Sequence, residues 1–169
     1  MERIAGRVHA AREDGFVVFL VGMRINRLRA VSEWLPVVRA APRMVREQEP
    51  EGLLGSRTLR DGLRGITIVQ YWESFEALRD YARTPGTEHR SWWGRFNAQA
   101  SESDAVGIWH ETYLVEAHET VYRHMPPHGL GAADGTELVP AEGERETARG
   151  RLGEGDESAP FTPDGEVVA

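Results

Sequence analysis

The order of elements along the chain predicts an α+β fold: a ferredoxin-like βαββαβ unit with a four-stranded antiparallel sheet. Three observations predict it. Four β-branched or aromatic stretches alternate with helical stretches in the order strand, helix, strand, strand, helix, strand. The middle two strands flank a tight Asp61-Gly62 turn, which makes them a hairpin. Finally, 169 residues with 40% apolar content suit one domain of ordinary size plus a tail.

The first strand runs from Phe16 to about Arg24, an apolar, β-branched run that follows Gly15. Leu28 to Gln48 has helical periodicity, and Pro42 is expected to kink or divide that helix. Gly52 to Arg60 and Ile66 to Trp72 form the hairpin. Ser74 is an N-cap for a helix over Phe75 to Arg83, which Thr84-Pro85-Gly86 ends. A further helical stretch spans about Glu88 to Gln99, and Ala105 to Val115 is the last strand. The expected organisation is an amino-terminal extension over 1–14 and the ferredoxin-like α/β-barrel domain over 15–130. A carboxy-terminal arm over 131–152 and an acidic, disordered tail over 153–169 follow. A single four-stranded sheet has a second face to cover, and pairing with another copy is the expected solution, a homodimeric α/β barrel.

Composition narrows the chemistry. The chain has no cysteine, which removes disulfides, iron–sulfur clusters and cysteine nucleophiles. All 20 basic residues are arginine, so a Schiff-base lysine and a P-loop lysine are excluded too. The net charge of −7 comes from residues 131–169, because residues 1–130 balance. A neutral body and an acidic end argue against nucleic-acid partners. The longest apolar run, Phe16 to Met23, is too short to span a bilayer, and a cytoplasmic protein without membrane partners is expected.

Two of the six histidines have a context that suggests a site. His89, Trp92, Trp93 and Phe96 fall on one face of the helix from Glu88. On the last strand, alternation puts Val106, Ile108 and His110 on one side, and Trp109, Glu111 and Tyr113 on the other. If the His110 side packs under the helices, two imidazoles face each other across an aromatic-walled slot. Such a slot suits a flat iron cofactor, with one histidine on the metal and the other on the substrate side. The same pattern also fits an exposed or capping helix histidine and a hydrogen-bonded core histidine, and spacing leaves both readings open. Glu111 and Tyr113 are further acid–base candidates, and Arg24 is a polar group at the end of the first strand.

The segments GFVVFLVGMRINRL (15–28), WLPVVRAAPRM (34–44), IVQYWESFEALRDYAR (68–83), HRSWWGRFN (89–97), VGIWHETYLV (106–115) and MPPHGLG (125–131) resemble a monooxygenase-like family of the dimeric α/β-barrel superfamily. Fungal fumagillin-pathway monooxygenases are among its members. From His89 to MPPHGLG the layout is also similar, more distantly, to haem-containing aldoxime dehydratases. That resemblance implies His89 as the iron ligand, His110 as the distal acid–base residue, and Trp92, Trp93 and Phe96 as walls that exclude water. For the distal serine and arginine of that family, Ser56 and Arg24 are the nearest candidates. The dehydratases are about twice as long, which affects the expected reaction more than the cofactor. The expectation is a monooxygenase-type oxidoreductase acting on a small apolar organic molecule, with haem as a possible cofactor. A haem-dependent lyase and a non-catalytic dimeric binding protein are the alternatives.

Overall fold

The computed structural model describes residues 3–46, 50–84 and 103–153. The chain divides into two compact units, Phe16–Leu114 and Met1–Gly15 with Val115–Ala169.

The first unit is built on β2 (Phe16–Ile25), α1 (Val31–Arg46), β3 (Leu53–Asp61), β4 (Gly65–Trp72), α2 (Phe75–Arg83) and β5 (Val106–Val115). Its sheet has the order β3-β4-β2-β5. This is the ferredoxin-like arrangement, in which each βαβ crossover skips one position and the returning strand fills it. The apolar run at 16–23 becomes a central strand. β4 pairs antiparallel with it from Val17↔Trp72 to Arg24↔Gly65, and with β3 out to Asp61↔Gly65. β4 is in continuous register with β2, and with β3 from Gly55 onward, past a bulge between Leu53 and Gly55, so its side chains divide between the two faces.

Two apolar clusters fasten helices to one face of this sheet. Met23 and Val106 are buried with Trp34, Ile66 and Ile108 packed around them, which seats the amino-terminal half of α1. Val17, Trp72 and Leu78 form the second, with Phe19, Leu53, Ala77 and Tyr81 against it, which seats α2. Ser74 caps α2 by accepting from the Ala77 amide at 3.1 Å. Gly52, at φ +80°, lies where a Cβ would meet the Ala77 side chain, so glycine lets the start of β3 approach α2 closely.

α1 differs from the sequence expectation. It runs as one element through both Pro36 and Pro42 rather than dividing at Pro42. Each proline removes one backbone donor from the ladder, a local loss that the rest of a 16-residue helix survives. The helical stretch expected over Glu88 to Gln99 and the tail from 154 lie outside the described residues.

The second unit contains elements the sequence did not announce. The stretch expected as an extension holds β1 (Arg7–Ala11), and the connection and arm hold β6 (Tyr122–Arg123) and β7 (Glu137–Pro140). They form a three-stranded sheet in the order β6-β1-β7. Residues 115–130 belong to this unit, where β6 pairs with β1. β1 is held by partners more than a hundred residues away, including Val8↔Pro140 and Ala10↔Leu138. No local pattern specifies such pairing.

A knot of polar groups closes this unit. The Arg151 side chain is only 4% exposed and binds Glu119 together with the carbonyls of Arg145 and Glu146. Thr120 accepts from the Ala10 amide, and the His118 ring bonds the Ala10 carbonyl, so segment 118–120 takes both backbone groups of one β1 residue. His9 is buried beside them, and among the described residues its Nε2 has no partner.

Candidate functional site

Strand register sets the helix-bearing face of the sheet. Val17, Phe19, Val21 and Met23 of β2 alternate onto it, opposite Trp72, Gln70, Ile68 and Ile66 of β4. Ser56 and Thr58 of β3 extend the same rows. His110 of β5 belongs to this face as well, because its ring lies 5.8 Å from that of Phe19, tilted by 41°. Among the described residues the clusters under α1 and α2 are separate. A strip of sheet at the edge of the second cluster carries Ser56, Gln70 and Phe19 in one row, and the Phe19 ring meets that of His110.

His110 is exposed, whereas its strand-mates toward the amino end, Val106 and Ile108, belong to the apolar cluster that includes Trp34. An imidazole at the edge of an apolar floor is open to a ligand and close enough to exchange a proton with it. Further along the strip, the fully buried Trp72 donates its indole N–H to Gln70 Oε1 at 3.1 Å.

The other sequence candidates on β5 look away from this strip. The Tyr113 hydroxyl donates to Glu111 Oε2 at 2.7 Å on the opposite face, and both residues are exposed. The bond to the Glu111 carboxylate, reinforced by its negative charge, raises the phenol above its ordinary value. Tyr113 is therefore a proton donor in its neutral form and a poor base. On this face the Trp109 indole lies directly over Gly22. Phe16 and Tyr71 add a ring contact at 6.2 Å. Arg24 is exposed, opposite Gly65, on the same side as Gly22 and hence away from His110. The structure brings Glu111 and Tyr113 together, and it brings neither of them, nor Arg24, to His110. His89, Trp92, Trp93 and Phe96 lie outside the described residues.

Phe19 and Gln70 do not stand out in the sequence. Phe19 was legible only as one apolar residue in a strand, and Gln70 only as a polar interruption within an apolar one. Their meeting depends on the pairing of β2 with β4, which spans some fifty residues of chain. Among the described residues, no group of three or more His, Asp or Glu side chains is arranged to hold a metal ion. Nor is any described helix long and apolar enough to cross a membrane.

Similarity to solved structures is distant. Half of an aldoxime dehydratase aligns with most of this chain, at a TM-score of 0.55 and 18% identity, covering 89% of this chain and 44% of that one. At this identity the likeness shows the fold. A conserved protein from Bacteroides thetaiotaomicron, described as a possible oxidoreductase, aligns at a TM-score of 0.45 and 15% identity, over 60% of this chain and 98% of its own. SnoaB from Streptomyces nogalater, a cofactor-independent oxygenase, aligns at 0.37 and 19%, over 59% of this chain and 91% of its own. No curated protein matches the chain. The family model that does match covers residues 16–130, from the first residue of β2 to Leu130, and on that match the chain belongs to the monooxygenase af470-like family.

Proposed function

We propose that the chain is a monooxygenase-type oxidoreductase acting on a small apolar organic molecule, with His110 as the group that takes up and returns the proton. One observation carries the reading: an exposed imidazole beside the Phe19 ring, at the edge of an apolar cluster on the sheet. Membership of a monooxygenase-like family supports it. An apolar substrate lies against the Phe19 ring, and His110 accepts a proton from an activated CH2 group. Dioxygen then converts that carbon to C=O and releases its second oxygen atom as water. The balance is CH2 + O2 to C=O + H2O, with the substrate supplying all the electrons. Tyr113 does not compete as the base, since Glu111 holds its proton in place.

Haem is the finer alternative for the same site. Its iron ligand would be His89, outside the described residues, and the exposed His110 imidazole beside an apolar ring has the chemistry its substrate side needs. When bound, haem would supply the redox chemistry at oxygen, and the task of His110 would still be to hold and return a proton. We further propose a homodimer, in which a second copy faces the aromatic sheet surface of Trp109, Tyr71 and Tyr113.

The experiment is oxygen uptake with apolar CH-acids for the wild type and His110→Gln. A positioned acid–base group contributes about 10²–10⁴ in rate, so His110→Gln should lose that factor. Unchanged uptake in His110→Gln overturns the assignment. Haemin titration of wild type, His89→Ala and His110→Ala tests the cofactor. A saturable spectrum lost in His89→Ala alone supports haem. Nitrile formation from an added aldoxime would point to a lyase, and the absence of either activity to a binding protein.

A further inference from the structure

We infer that Gln70 is a substrate-positioning residue, and that this site takes a planar molecule bearing an oxygen acceptor at the end remote from His110. The inference rests on the proposed site but concerns binding rather than oxygenation.

It begins with the orientation of one amide. The Trp72 indole is 0% exposed, and its Nε1 is a donor only. Its bond to the Gln70 side chain at 3.1 Å must therefore end on Oε1, as the structure has it. That fixes the opposite end of the amide. The Nε2 group is turned away from the indole with two N–H donors, and among the described residues nothing accepts from it. Gln70 is half-buried, and Nε2 is not among the buried atoms lacking a partner, so it remains open to a ligand.

Its position gives those donors a use. Gln70 is directly opposite Phe19 in the β2–β4 ladder, and the Phe19 ring touches that of His110 from β5, the next strand over. Neighbouring strands are about 4.8 Å apart, so two steps put Gln70 and His110 at least about 10 Å apart, with the Phe19 ring as the floor between them. This is the span of a fused bicyclic molecule lying flat on a phenyl ring. One end meets the imidazole and the other meets two amide donors. A carbonyl or phenolic oxygen satisfies those donors, and negative charge arriving there after proton loss strengthens the same bonds. An amide held by a buried indole costs little reorganisation at that moment. Gln70 thereby selects against hydrocarbons that would fit the floor equally well.

The test compares 1-tetralone with tetralin, which has the same two-ring skeleton without the oxygen, by equilibrium dialysis. Gln70→Glu keeps an oxygen to accept from Trp72 and replaces the donor with a negative charge. The wild type should prefer 1-tetralone by about fivefold, the worth of one ordinary hydrogen bond. Gln70→Glu should lose that preference. His110→Gln should keep it. Should Gln70→Glu fail to fold, Gln70→Met must show the same lost preference. A preference that persists in the Gln70 variants overturns the inference, as does equal or absent binding of the two probes by the wild type. None of these outcomes depends on oxygen uptake, so the inference and the proposed reaction can fail separately.

Discussion

His110 and Tyr113 are three positions apart on one strand and face opposite ways, so they cannot act on the same substrate atom. Alternation along the last strand made that separation legible in the sequence. The Tyr113–Glu111 bond was not, because two exposed side chains on one strand have many rotamers and only the folded arrangement selects the contact. The bond makes a titration prediction. In Glu111→Gln the charge is gone, so Tyr113 should ionise at lower pH than in the wild type, seen as an earlier rise of phenolate absorbance in the difference spectrum. Identical titration curves would show that Glu111 does not hold the phenol. Gly22 makes a second residue-scale prediction. A methyl group there would occupy the space of the Trp109 indole, and overpacking of this kind costs about 1–3 kcal/mol. Gly22→Ala should lower the thermal midpoint, with quenched or shifted Trp109 fluorescence.

At the scale of elements, α2 depends on its cap. Ser74→Ala removes the acceptor for the Ala77 amide and should cost about 1 kcal/mol in urea unfolding. This helix could be read in full from its sequence, since a cap, an amphipathic period and a Thr-Pro-Gly stop are all local. β1 is the opposite case. Its five residues carry no turn or periodic signal strong enough to distinguish a strand from an extension, and its stability comes from β6 and β7. It also encloses His9, whose pKa is lowered from 6.5. Burial is the largest cause, followed by the positive charge of Arg145, with Arg151 and His118 adding to it and the Ala10 backbone opposing. The folded state thus binds a proton less readily than the unfolded chain. Stability is full above about 6.5 and declines as the pH falls from there through the lowered folded value. Amide exchange in β1 should accelerate over that window, and His9→Leu should flatten the dependence. Exchange in the variant that still accelerates over the same range would assign the effect to another group.

For the whole molecule, the proposed homodimer predicts a light-scattering mass twice that of one chain, and a mass equal to one chain would count against it. The ferredoxin-like order of strands was determined by the sequence alone. Strand and helix periods, a short turn and a cap are short-range features, and a βαββαβ succession admits few arrangements in space. The face that His110 occupies could also be read that way, because the face of a strand residue follows from counting. Tertiary structure alone decided which side chains meet it. Phe19 and Gln70 reach the strip through a ladder whose register joins distant parts of the chain, and the polar knot of His9, Glu119 and Arg151 joins parts more distant still. Local energies choose the elements. Which residues end up opposite one another is settled only when separate apolar faces are buried together, and no stretch of sequence carries that information by itself.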